Sequence, residues 1–142
     1  MKAQVEEAVA ARAKREGVSP GELKGRLLAE GYAQRDHPGI VFRGPWHDRR
    51  AALAEGPDVW EVASRLRELD GPEEHRIAVL CEETALHPRH VRIAIDYAAE
   101  HLDEVLERIE RNEEAAKRSR RAVQRRAALF AAVPDPGGRP RA

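Results

Sequence analysis

Residues 76–97, Arg76-Ile-Ala-Val-Leu-Cys-Glu-Glu-Thr-Ala-Leu-His-Pro-Arg-His-Val-Arg-Ile-Ala-Ile-Asp-Tyr97, read as a helix, a tight turn and a second helix. Ile77, Ala78, Leu80 and Cys81 recur at helical spacing as far as about Thr84. His87-Pro88 then restarts a helix, with a possible cap followed by proline at the first helical position. Val91, Ile93, Ala94, Ile95, Tyr97 and Ala98 supply its apolar residues. Ala78 is the small residue where the two helices would cross, Leu86 would plug the turn, and Val91 with Ile95 would return the second helix onto the first. This is the helix-turn-helix pattern. Arg89, His90 and Arg92 then fall near the N-terminus of the second helix, where side chains reach base edges and phosphates. Glu82, Glu83, Asp96 and Glu100 surround that helix, and their carboxylates oppose phosphate binding. Any small helical bundle also contains helix, turn and helix, so shape and DNA reading are separate expectations.

Working outward, Val59, Trp60, Val62, Ala63, Leu66 and Leu69 form a broad apolar stripe that starts after Pro57, with Asp58 or a neighbour as cap. Asp70-Gly71-Pro72 breaks it. Further upstream the period changes: His37-Pro38-Gly39-Ile40-Val41-Phe42-Arg43 predicts a turn and a short strand. Arg49-Arg-Ala-Ala-Leu53 is its hairpin partner, although alanine is a poor strand former. A lone two-stranded ribbon is marginal in water, so it must lie on the helices or pair with a second copy. Before it, Val5, Ala8, Val9, Arg12 and Ala13 mark a weakly apolar helix ended by Gly17. Ser19-Pro20-Gly21-Glu22 caps a second, carrying Leu23, Leu27 and Leu28 to about Glu30, where Gly31 stops it. After His101 a long helical pattern starts at Asp103 and passes Val105, Leu106 and Ile109 into an Arg/Ala-rich stretch. Three prolines and two glycines in residues 134–140 end it. The expected fold is an all-α small domain containing a helix-turn-helix, with a minor short β-ribbon. It divides into a helical hairpin at 1–35, a helix-turn-helix domain at 36–114, and a basic helix and tail at 115–142.

At 142 residues and 15.9 kDa, the chain fits one small domain or two very small modules, which excludes a large multi-domain enzyme. Its 25 basic and 25 acidic residues cancel, but unevenly: residues 1–35 carry +2, residues 36–114 carry −9, and residues 115–142 carry +7. An acidic body with a basic end seeks an acidic partner, protein or nucleic acid. Aromatics are 4% of the chain, so the core is built from Leu, Ile, Val and Ala and is thin enough for a dimer mate or partner to complete it. Trp60 belongs to that core, whereas Trp46, in a polar turn, suits either a partner anchor or local packing. A single Cys81 permits no internal disulfide, and no stretch approaches the ~20 apolar residues of a membrane span, which makes the cytoplasm the default compartment. No phosphate loop, nucleophile elbow, carboxylate dyad or metalloprotease histidine pair occurs, so neither an enzyme nor a cofactor is expected. The nearest approach to a metal signal is His87 with His90. The basic end, Lys117, Arg118, Arg120, Arg121, Arg125, Arg126, Arg139 and Arg141, with Val123, Leu129, Phe130 and Val133 between, has three readings: a solvated helix end, a phosphate binder, or a docking segment for an acidic protein.

The stretch from His37-Pro-Gly-Ile-Val-Phe-Arg43 through Arg49-Arg-Ala-Ala-Leu53 and Gly56-Pro-Asp-Val-Trp-Glu-Val62 to Leu86-His-Pro-Arg-His-Val-Arg-Ile-Ala-Ile-Asp-Tyr-Ala-Ala-Glu-His101 resembles a helix-turn-helix antitoxin family. Its members carry a domain of unknown function and are similar to the VapB-type antitoxins of bacterial toxin-antitoxin operons. The resemblance covers about residues 37–112. It implies a small helical protein that dimerises, binds its own operator DNA and neutralises a PIN-like ribonuclease toxin encoded beside it. Carried across, Arg89, His90 and Arg92 face DNA. A PIN-type nuclease holds metal with clustered carboxylates, so Arg118, Arg121, Arg125 and Arg126 would replace the cation while Leu129 and Phe130 fill an adjoining groove. The helices before Gly31 are similar to a ribbon-helix-helix arm, with only residues 1–4 ahead of them to form its strand. A stand-alone DNA-binding regulator and a helical adaptor that binds no DNA are the rival readings.

Overall fold

A computed structural model gives the fold and describes residues 1–131; the proline-rich stop signal, Val133, Arg139 and Arg141 lie outside the described residues. The described chain is all-α with a two-stranded antiparallel ribbon, in the order α1 (Lys2–Glu16), α2 (Pro20–Asp36), β1 (Ile40–Arg43), β2 (Arg50–Leu53), α3 (Val59–Glu68), α4 (Glu73–Glu83), α5 (Pro88–Glu100) and α6 (Leu102–Ala131). It forms two units, Met1–Leu106 and Glu107–Ala142. Among the described residues no helix is long and apolar enough to cross a membrane.

Local chemistry sets the element ends. Ser19 Oγ accepts from the Glu22 amide at 3.1 Å while the Glu22 carboxylate accepts from the Ser19 amide at 3.0 Å, closing the capping box that starts α2. Gly31 does not stop this helix, which runs on to Asp36. A glycine inside a helix costs only about 1 kcal/mol, and Glu30, one residue earlier, is anchored by the ribbon. The stop comes instead from Pro38, which excludes helical geometry at His37. Residues 2–4 belong to α1, so among the described residues no strand precedes the N-terminal hairpin.

The ribbon pairs Ile40 with Leu53 and Arg43 with Arg50, and it rests on helices α2, α3 and α5. Ala51 and Ala52 are buried in β2, where their small side chains let helices approach a strand that alanine propensity alone would not favour. Gly44 makes the loop possible: its φ is 103°, and a Cβ there would lie 2.2 Å from the Asp48 carbonyl oxygen. Ile40, Leu53, Val59, Val62, Ile77, Leu80, Val91, Ala94 and Tyr97 form the core.

Polar fasteners join these layers. Arg49, just before β2, donates to the buried Glu30 carboxylate of α2 and to the Gly44 carbonyl at 2.7 Å. Arg50 donates to Asp58 at 2.6 Å, and this carboxylate holds the Arg50 guanidinium above its ordinary pKa. Asp58 is the N-cap residue of α3 but makes no side-chain capping bond. Its oxygen instead accepts from Arg50 and from Trp60 Nε1. Arg43 reaches the carbonyls of Leu53 and Gly56 at 2.7 and 2.8 Å. Trp46 packs locally, with the Arg26 guanidinium 4.3 Å above its ring.

Two stability outcomes follow from this packing. Arg49→Ala strands the buried Glu30 carboxylate and lowers stability by about 2–4 kcal/mol in urea unfolding, whereas Arg49→Ala combined with Glu30→Gln recovers part of the loss. A Cβ at Gly31 meets nothing within 4 Å, so Gly31→Ala raises stability by about 0.5–1 kcal/mol; a loss instead would show that the helix is strained there.

Candidate partner-binding surfaces

Helices α4 and α5 are joined by residues 84–87. The connection is built by Thr84, whose Oγ1 donates to the Leu80 carbonyl at 2.9 Å, and by His87, whose Nδ1 accepts from the Arg89 amide at 3.0 Å as the cap of α5. The sequence boundaries of this helix, turn and helix hold. The crossing residue does not, because Ala78 is exposed while Ile77 and Leu80 are buried. A step of one residue turns a helix by about 100°, which carries Ala78 off the face defined by Ile77 and Leu80. The small buried residue is Ala94 on α5.

Arg89 and His90 are exposed in the first turn of α5. With Ile93, Leu86 and the Leu53–Pro57 turn they line an open groove of about 910 Å³. Arg92 is also exposed and donates to Glu74 of α4 at 2.9 Å. Arg65 likewise joins α3 to α4 through Glu83, whose carboxyl the guanidinium holds below its usual range. The expected DNA-facing triad thus divides into two outward groups and one intramolecular pair.

Within the second unit, residues 107–131 continue α6 as unbroken helix, and every residue from 117 to 131 is exposed. Charge along this helix changes sign: residues 107–114 hold four glutamates and two arginines, while residues 115–131 hold six basic residues and no acidic one. Steps of three and four put Arg118, Arg121, Arg125 and Leu129 on one stripe. The same steps put Val123, Arg126 and Phe130 on the neighbouring stripe. Leu129 and Phe130 are 68% and 71% exposed. The six residues singled out from sequence therefore share one broad face rather than a single line, with Lys117 at its edge one turn from Arg121 and Arg120 on the far side.

Histidines converge at a place with no sequence motif. His37 at the end of α2, Glu100 at the end of α5 and His101 immediately after it bring their ligand atoms within 4.8 Å of one another. Tyr97 backs this cluster, its ring stacked on His101 at 4.2 Å and meeting the edge of His37 at 5.3 Å. Only three-dimensional proximity joins residues 37 and 100, whereas the His87/His90 pair commits the Nδ1 of His87 to capping.

No protein-family model matches the chain, and no curated protein or solved structure matches it either. Function is therefore argued from the surfaces themselves.

Burial of the Tyr97 hydroxyl, reinforced by the Glu104 carboxylate 3.5 Å away, raises its pKa above the ordinary 10.0. The unfolded chain then loses this proton first, so the stabilising contribution is complete below about pH 10 and falls away as pH rises beyond it. Tyr97→Phe flattens the alkaline limb of a stability profile. An unchanged limb would assign the alkaline loss to other groups.

Proposed function

We infer that this chain is the antitoxin of a toxin-antitoxin pair, a small helical protein that inhibits a PIN-like ribonuclease by inserting the basic half of α6 into a carboxylate-lined, metal-binding cleft. The observation that carries this reading is the run of exposed helix over residues 117–131, with six cations, no carboxylate and two large exposed apolar side chains. Guanidinium groups form paired hydrogen bonds with carboxylates and occupy the charge position of the catalytic metal. Leu129 and Phe130 supply the apolar anchors such an interface needs. Dimerisation, operator binding and a cytoplasmic location belong to this proposal.

Exposure of Arg89 and His90 at the start of α5 favours a second reading, a stand-alone DNA-binding regulator. One experiment separates the two. The product of the adjacent gene is purified alone and with this chain, and its nuclease activity is measured. Arg118→Ala with Arg125→Ala weakens inhibition on the order of 10–100-fold, because two charge-assisted bonds are lost. Arg120→Ala removes a charge from the opposite face and changes it only a few-fold. If a chain ending at Ala115 inhibits as well as the whole chain, the cleft-plug mechanism is wrong. If no nuclease is bound while Arg89→Ala abolishes salt-dependent operator binding, the regulator reading replaces it.

A further inference from the structure

We propose that His37, Glu100 and His101 form a binding site for a borderline transition-metal ion, Zn²⁺ foremost, where the end of α2 meets the end of α5. The donor set is two imidazoles and one carboxylate, which suits zinc in a tetrahedral site with an open fourth position and does not suit the all-oxygen preference of Ca²⁺ or Mg²⁺. Consecutive residues on a helix do not face each other. Glu100 and His101 do so here because His101 has left helical geometry, with φ −121° and ψ 42°, and the chain turns between them.

The three ligands differ in burial. His37 is the fixed member, its side chain only 7% exposed and held edge-on by Tyr97. Glu100 is 66% exposed and His101 36% exposed, so both can move toward an ion. At present His37 Nε2 and Glu100 Oε2 are 2.7 Å apart, sharing a hydrogen bond in the position that the ion would take. Zinc bonds of roughly 2.0–2.2 Å in tetrahedral array separate ligand atoms by roughly 3.3–3.6 Å. Binding therefore needs Glu100 to withdraw by less than an ångström and the wider separations, at most 4.8 Å, to close. Glu104 Oε2 lies 3.8 Å from His101 Nδ1 and accepts from the Tyr97 hydroxyl at 3.5 Å; closing the first distance would give the carboxylate-to-histidine arrangement that orients a metal-bound imidazole.

An ion here would clip the α2–β1 junction to the far end of α5, joining the N-terminal hairpin to the helix-turn-helix by a bond that the folded state alone provides. The test uses the full chain without an affinity tag, titrated with Zn²⁺ by calorimetry and with Co²⁺ by visible absorption. One equivalent binds, Tm rises by several degrees, and Co²⁺ gives the intense visible bands of a tetrahedral site. His101→Ala and Glu100→Gln, both at the surface, each weaken binding at least tenfold, while His90→Ala leaves it unchanged. Absence of binding, binding that survives His101→Ala, or loss on His90→Ala would each overturn the assignment. None of these outcomes depends on whether the chain inhibits a nuclease.

Discussion

Two carboxylates that the fold has taken out of water, Glu30 and Asp58, are each neutralised by one of two adjacent arginines. Arg49 and Arg50 are both extended, so their side chains leave the backbone on opposite sides. One holds α2 and the other holds the start of α3, which makes the entrance to β2 the junction of the whole first unit. A buried ion pair adds little net stability compared with an apolar replacement, but it is intolerant of mispairing. A one-residue slip of β2 would leave one of the two carboxylates facing Ala51 or Asp48 in place of its arginine and turn Leu53 out of the core. Charge here fixes the register of a ribbon too short and too alanine-rich to fix it through packing.

What was legible in the sequence was whatever depends on neighbours along the chain. The Ser19 capping box, the Gly17 stop and the His87-Pro88 start of α5 all rest on interactions within a few residues, and the strands show as a local change of period. Gly31 does not end α2 because its propensity cost is small beside the anchoring of Glu30, and the stop lies at His37-Pro38, where the sequence shows the start of a turn. Ala78 has the size of a crossing residue but not the helical phase, which Ile77 and Leu80 define. Arg43, Arg49 and Arg50 counted as net charge in the sequence but serve as internal fasteners, since spacing does not reveal which carbonyl or carboxylate lies across a layer.

The candidate sites follow the same division. Arg118, Arg121 and Arg125 share a stripe that three- and four-residue steps already prescribe. Arg92 pairs with Glu74, eighteen positions away, and His37 meets Glu100 across sixty-three. Such pairings are products of tertiary assembly, and a single sequence carries no local trace of them.

The composition of α6 bears on how a partner would be chosen. Residues 115–131 contain six alanines and six basic residues, no glycine and no proline, so helical order there draws on strong intrinsic propensity. A helix formed in advance spares the entropy of ordering at the moment of encounter. It also displays its side chains at fixed intervals on a backbone that does not depend on them. Were α6 to dock on a partner, exchanging two or three of those side chains would re-address it while the body of the protein stays the same, a short mutational route to a new pairing.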